Sequence, residues 1–240
     1  MLKIKNITAN IGDITVVKDI SLEINKGEIH AIVGPKKSGK SSIVHAILGN
    51  PILDIKGSIL FKGKSILKKN ISQRNQLGIY TTFQYLPLLE GITNLDLATA
   101  MLKAHKDQRN ANQIEKEYKK LLQKLGLSSN HGHKVVNDET MTPSECKKNE
   151  VLHMILQDPE LIVLDELDHD VEEDELEIFA TTIKEFLTKK KSAIVISHNK
   201  QFLDILNPTH VHVVVNGGIV EQGEIDLYKR ITENGYPQLS

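Results

Sequence analysis

Two kinds of apolar pattern alternate along the chain. Glu28-Ile-His-Ala-Ile-Val33, Leu161-Ile-Val-Leu164 and Ala193-Ile-Val-Ile196 are short, nearly unbroken aliphatic runs, as strands of a parallel sheet buried on both faces require. Between them, apolar residues recur at helical spacing. Ser42-Ile-Val-His-Ala-Ile-Leu48 is closed by Gly49 and Pro51, and Ile114, Tyr118, Leu121, Leu122 and Leu125 share a face closed by Gly126. Glu150 to Gln157 and Leu176 to Leu187 read as further helices. The order strand, helix, strand, helix, strand predicts a parallel α/β sheet. Residues 1–30 read as β: Leu2, Ile4 and Ile7, a turn at Ile11-Gly-Asp13, then runs over 14–17 and 20–24 and a second turn at Asn25-Lys-Gly27. Gly57-Ser-Ile-Leu-Phe61 adds a strand to this antiparallel part, and Val211 to Val220 predicts a hairpin about Gly217-Gly218. The stretch from Leu88 to about Lys134 reads as a helical insert. The chain is thus expected to be one domain over 1–240, with a core from about 1–87 and 151–240 and a helical subdomain over 88–150.

Composition narrows the class. With 240 residues, 40% hydrophobic and 25% charged, the chain has an ordinary globular balance and can bury a large core. A net charge of −1 and 4% aromatics without Trp argue against a nucleic-acid partner. No apolar run reaches the length of a membrane span, so no direct membrane insertion is expected. The start Met1-Leu-Lys-Ile-Lys-Asn-Ile has no signal-like apolar core, and the single cysteine, Cys146, excludes an internal disulfide. Both predict a reducing compartment, the cytoplasm or, in a eukaryote, an organelle stroma.

The chemistry starts at Gly34-Pro35-Lys36-Lys37-Ser38-Gly39-Lys40-Ser41, which fits a P-loop: Gly, four residues, then Gly-Lys-Ser. Such a loop wraps backbone N–H groups around phosphate oxygens. Here it follows a buried strand and opens a helix with Ser42, the order an anion-binding loop requires. Lys40 is placed to reach the β- and γ-phosphates of ATP, and the Ser41 hydroxyl to hold Mg²⁺. Leu161-Ile-Val-Leu-Asp165-Glu166 puts two acids at the carboxyl end of a buried strand, where such sheets bind ligands. Alone this is an ordinary acidic loop. With a P-loop, Asp165 is expected to hold Mg²⁺ and Glu166 to orient or deprotonate the attacking water. Ser197-His198 ends the next strand in the same way, although one of ten histidines proves little by itself. Gln84 lies between the P-loop half and the insert, where it is expected to ligate Mg²⁺ or water.

Taken in order, these residues resemble the ATP-binding-cassette (ABC) ATPases over nearly the whole chain: P-loop, Gln loop, helical insert, signature, strand with trailing acids, His loop. The resemblance implies an α/β P-loop NTPase fold with a mixed core sheet, an antiparallel β subdomain and a helical insert. It also implies that two copies sandwich two ATP in a transient, ATP-dependent homodimer, each site using one copy's P-loop and the other's signature. Four stretches are most similar to the SufC-type ATPases of the Suf iron–sulfur assembly system. They are His30-Ala-Ile-Val-Gly-Pro35; Phe83-Gln-Tyr85 with Gly91-Ile-Thr-Asn94; Lys147-Lys-Asn-Glu150 with Leu152-His-Met154; and the tail from Pro208-Thr-His-Val-His-Val213 to Glu233-Asn-Gly-Tyr236. That likeness implies a SufB/SufD-type scaffold docked on the insert near the Gln loop. The chain itself is not expected to carry the cluster, having one cysteine and no Cys/His ligand spacing.

The signature departs from the family. Where the family has Ser-Gly-Gly-Glu/Gln after an apolar residue, this chain has Thr142-Pro143-Ser144-Glu145 after Met141. Thr142 keeps a hydroxyl for the γ-phosphate in trans, but Pro143 lacks an N–H and Ser144 adds a Cβ where backbone should approach phosphate. Lys36-Lys37 stands where Asn-Gly is usual, and Glu172 where an Asp is usual. The expectation is good Mg-ATP binding with poor closure of the sandwich, hence slow hydrolysis or dependence on a partner. Two other functions stay open: the ATPase subunit of an ABC transporter, and a nucleotide-gated regulatory module with little hydrolysis.

Overall fold

The computed structural model describes residues 1–82, 89–136 and 141–236, with only the backbone of Asn234. The chain opens on β1 (Leu2–Ile11) and β2 (Ile14–Ile24), antiparallel about the Gly12-Asp13 turn. The two apolar runs expected over 14–17 and 20–24 are one strand, kinked where Asp19 takes φ 46° and the register with β1 shifts. Next come β3 (Ile29–Val33), α1 (Lys40–Leu48), β4 (Asp54–Phe61) and β5 (Lys64–Ser65). β4 pairs antiparallel with β1, so the order β2-β1-β4-β5 makes the antiparallel sheet. α2 (Ile71–Gln76) and β6 (Ile79–Thr81) lead back to the centre.

The insert does not start as a helix. β7 (Leu89–Thr93) pairs with β8 (Val135–Val136), and between them lie α3 (Asn94–Ala104), α4 (Ala111–Lys124) and a 3₁₀ turn at His131–His133. α5 (Pro143–Gln157) starts at Pro143 rather than near Glu150. The cause is a start signal within the signature itself. Glu145 N–H donates to Thr142 Oγ1 at 3.1 Å, Thr142 N–H donates to Glu145 Oε2 at 3.0 Å, and Pro143 sits at the first helical position.

The rest is β9 (Leu161–Asp165), α6 (Leu176–Phe186), β10 (Ser192–Ile196), α7 (Lys200–Leu206), β11 (His210–Val215), β12 (Gly218–Gly223) and α8 (Ile225–Asn234). Among the described residues the central sheet runs β12-β11-β3-β10-β9-β6, parallel except for β12. Alternation assigns its two faces. Ile32, Val163, Ile194, Ile196 and Val214 pack with α1 and the antiparallel sheet. Ala31, Val33, Leu164, Val195 and Val213 pack with α5 to α8 and with Ala98, Leu102, Ile114 and Tyr118 of the insert. Insert and sheet therefore share one core on that face.

Candidate active site

Three neighbouring strands deliver the chemistry. β3, β10 and β9 lie side by side and parallel, so the loops leaving their carboxyl ends meet: the P-loop after Val33, Ser197-His198 after Ile196, and Asp165-Glu166 at the end of β9. This is the crevice at strand ends where open α/β sheets bind ligands.

The P-loop is held from outside. Gly217 N–H donates to Ser38 O at 2.7 Å, and Lys18 N–H to Gly217 O at 2.8 Å, tying loop, hairpin and β2 together. A Cβ on Gly34 would stand 2.1 Å from the Val214 carbonyl oxygen, so only glycine fits that approach. Gly39, at φ 102°, turns the loop into α1. Lys37 takes φ 65°, a left-handed conformation that costs a non-glycine residue about 1 kcal/mol. Its side chain and that of Lys36 are exposed, whereas Pro35 and Ser42 are partly buried. The Ser38 hydroxyl is buried with no hydrogen-bond partner among the described residues, and Lys40 Nζ donates to Gly34 O and Pro35 O at 3.0 and 2.9 Å. Burial lowers the Lys40 pKa, against the pull of Glu166 and Asp165. An orphan hydroxyl, a lysine and a close backbone approach fit a phosphate chain.

Ser41 and Asp165 meet across the crevice, Ser41 Oγ standing 3.4 Å from Asp165 Oδ1. Burial raises the Asp165 pKa while the Ser41 hydroxyl lowers it. This pair of oxygens fits a hard cation such as Mg²⁺. Thr82 pins the same strand end, since Asp165 N–H donates to Thr82 Oγ1 at 3.3 Å. Gln84, two residues on, lies outside the described residues.

Glu166 adopts φ 50° and its N–H donates to Ile196 O at 2.9 Å. That bond joins the exits of β9 and β10 and brings Glu166 Oε1 within 3.8 Å of His198 Nε2. A non-glycine residue held left-handed at a carboxylate of this kind is stored strain of the sort that clusters at reactive positions. Burial lowers the His198 pKa, with Lys40 acting in the same direction and Glu166 against it. Behind this pair, Ser197 Oγ donates to the buried Asp168 carboxylate at 2.8 Å and accepts from Asn199 N–H at 2.9 Å. Asp168 therefore fixes the turn that carries His198, a role the sequence reading did not assign; its place three residues after Asp165 was the available signal.

The structure thus gathers Lys40, Ser41, Asp165, Glu166 and His198 in one crevice. Thr142 to Glu145 form the first turn of α5 on the insert. Thr142 and Pro143 are exposed, while Ser144 is buried and donates to Glu175 Oε2. Lys148 pairs with the other Glu175 oxygen, and Lys134 Nζ donates to Glu145 Oε1 at 2.6 Å. The Thr142 and Glu145 N–H groups, the Ser144 hydroxyl and the Glu145 carboxylate of this turn are all engaged within the helix or with its neighbours. The Thr142 hydroxyl accepts from Glu145 N–H and, on an exposed residue, keeps a proton to donate.

The family model described as ABC transporter matches residues 17–168. Two relatives named probable ATP-dependent transporter ycf16 are similar along their length. The one from Trieres chinensis is 37% identical over 100% of this chain and 97% of its own, and that from Pyropia yezoensis 34% over 98% and 96%. Vegetative protein 296 of Bacillus subtilis is 29% identical over 98% of this chain and 91% of its own. Among solved structures, a dimeric post-hydrolysis ATP-binding cassette bound to ADP and phosphate superposes with TM-score 0.80 at 16% identity, covering 94% of this chain and 99% of that one. A nucleotide-free cassette from an ABC transporter superposes with TM-score 0.79 at 24% identity, covering 98% and 95%.

Proposed function

The chain belongs to the ABC transporter family of ATPases, and we propose that within it this chain is a SufC-type subunit whose ATP cycle drives a SufB/SufD-type scaffold in iron–sulfur cluster assembly. In this reading the P-loop N–H groups of Gly34 to Ser41, the Ser38 hydroxyl and Lys40 hold the phosphates. Ser41, Asp165 and Gln84 hold Mg²⁺, which neutralises charge on the phosphates. Glu166 orients the attacking water and His198 steadies it against the γ-phosphate. The Thr142 hydroxyl is one group that remains for a contribution to a second copy's ATP.

The observation that carries the ATPase half of the proposal is the orphaned, buried Ser38 hydroxyl beside Lys40, within a crevice that also holds Ser41, Asp165, Glu166 and His198. The scaffold half rests on the four SufC-like stretches and on a cleft of about 410 Å³ between the core and the insert. That cleft is lined by Ile71, Arg74, Tyr80, Met101, Ala104 and His105, a mostly apolar wall that reaches Thr81 at the end of β6. The names of the ycf16 relatives favour a second reading, a transporter ATPase acting on membrane subunits. Affinity purification of the chain with and without ATP separates the two. Soluble scaffold proteins lost on Met101→Glu support the first reading, and membrane subunits in their place refute it.

A further inference from the structure

A second cluster of ligand-type side chains lies at the opposite end of the sheet from the nucleotide crevice. Glu28 precedes β3 and His30 is its second residue; His210 and His212 lie on β11, with His210 paired in register to His30. The sequence shows no compact metal-ligand spacing because the donors come from two strands 180 residues apart, as Glu28-x-His30 and His210-x-His212. Parallel pairing brings them together. One ligand atom each from Glu28, His30 and His210 lie within 4.8 Å of one another. His30 stacks on His210 with ring centroids 4.4 Å apart.

We propose that Glu28, His30 and His210 form a binding site for one divalent transition-metal ion of the zinc class, with His212 as the partner that orients His30. Two imidazoles, one carboxylate and an outward position open to water make a usual four-coordinate zinc donor set. Hydrogen bonding fixes the donors. The Thr209 hydroxyl donates to Ile29 O at 3.0 Å, so its lone pairs must accept, and His210 Nδ1 lies 3.0 Å away. His210 therefore carries its proton on Nδ1 and leaves Nε2 as a free lone pair. Asn25 holds the carboxylate, its backbone N–H donating to Glu28 Oε2 at 2.7 Å and its side-chain amide to Oε1 at 3.0 Å. His30 Nε2 faces Glu28 Oε2 at 3.0 Å, and His30 Nδ1 faces His212 Nε2 at 2.9 Å.

His212 makes the exchange of ligand feasible. It is 2% exposed, and its Nδ1 has no partner within hydrogen-bonding distance among the described residues, Gln222 standing opposite it on β12. Without metal, His30 donates from Nε2 to Glu28 and accepts at Nδ1 from His212 Nε2–H. When a metal takes His30 Nε2, both imidazoles switch tautomer. His30 then carries its proton on Nδ1 and donates to His212 Nε2, while His212 moves its own proton to Nδ1. Each ring stays neutral and the pair retains both protons. A ligand histidine whose second nitrogen donates to a fixed acceptor is the outer-shell arrangement of protein zinc sites. His30 and Gly34 are four residues apart along one strand, roughly 13 Å, so this site and the Mg-ATP site are separate.

The test uses the full chain, freed of metal by chelator and without nucleotide, titrated with Co²⁺ and then Zn²⁺. The expected result is one equivalent bound with the intense visible bands of four-coordinate Co²⁺, displaced by Zn²⁺, and a raised melting temperature. Glu28→Gln and His210→Ala should each weaken binding at least about tenfold while retaining the native circular dichroism. His169→Ala, at an exposed histidine elsewhere, should bind as the parent does. If His210→Ala fails to fold, Glu28→Gln decides alone. Binding unchanged in Glu28→Gln, or only the pale spectrum of octahedral Co²⁺ in the parent, overturns the proposal.

Discussion

Replacing Pro143 and Ser144 together by glycine should make the protein less stable and more active. Both effects can be worked from the first turn of α5. On the stability side, Pro143→Gly at the first helical position releases chain entropy in the unfolded state, about 0.5–1 kcal/mol. Ser144→Gly costs roughly 0.5 kcal/mol in helix propensity and removes the hydrogen bond from Ser144 to the Glu175 carboxylate, a further 1–2 kcal/mol. The sum, about 2–3.5 kcal/mol, lowers the melting temperature by roughly 4–14 °C in a chain of this size. On the activity side, position 143 gains an N–H and position 144 loses the Cβ that keeps backbone from phosphate. One new charge-assisted hydrogen bond to the γ-phosphate of the partner copy's ATP is worth about 1.5–3 kcal/mol, or roughly tenfold to a hundredfold in ATP-driven pairing.

The assay is steady-state ATPase against protein concentration, beside calorimetry of the same samples. Turnover should rise at least about tenfold, and more steeply with concentration than in the parent, because the gain is made between copies. A melting point that falls as calculated while turnover stays at the parent's value would refute the reasoning. The first turn of α5 would then be a helix start and nothing more.

Four other outcomes are expected. Glu166→Gln should lower basal ATPase at least about a hundredfold with ATP binding retained, and unchanged single-turnover hydrolysis would remove Glu166 from the role of base. Lys37→Gly relieves a left-handed lysine and should stabilise the chain by about 0.5–1 kcal/mol in urea unfolding; destabilisation would mean the lysine side chain makes a compensating contact. Arg74→Leu should cost about 3 kcal/mol, because the buried guanidinium donates to the carbonyls of Ala46, Ile47, Leu67 and Lys69 and so closes the end of α1; a loss under about 1 kcal/mol in calorimetry would contradict this. His212 and His153 are buried and pushed down by burial to about 3 and about 4, so the unfolded chain takes up their protons first as pH falls. Their contribution is complete above the unfolded value near 6.5 and is lost as pH falls towards 4, at about 1 kcal/mol per histidine per pH unit; a urea midpoint level between pH 7 and pH 5 would exclude it.

How much of this was legible in the sequence depended on how local each signal is. The parallel strands were readable because burial on both faces leaves an unbroken aliphatic run, and the run is the whole signal. The places of the P-loop, Asp165, Glu166 and His198 were readable because each sits within a few residues of such a run, and adjacency of strands does the rest. Arg74 was not, since it stands in a polar stretch that resembles a surface loop; only the carbonyls at the end of α1, 27 and 28 residues earlier in the chain, make it a core residue. The cluster of Glu28, His30 and His210 was hidden for the same reason at longer range. Two spaced pairs mean nothing until β3 and β11 lie in register.

The signature shows a subtler limit, because there two readings of the same residues conflict. Read as a phosphate loop, Thr142-Pro143-Ser144-Glu145 is damaged: no glycine, one missing N–H, one added Cβ. Read as a helix start it is close to ideal, with Thr and Glu exchanging hydrogen bonds across Pro at the first position. A good cap satisfies the N–H groups at a helix end, and a good phosphate site leaves them free to point outward. The same four residues cannot do both well. Substitutions that weaken one reading strengthen the other, so in the proposed function α5 has a secure start at the expense of what it would offer a second copy's ATP. A partner that pries Glu145 from Thr142 N–H would return one donor to that face, whereas nothing short of substitution returns the donor missing at Pro143.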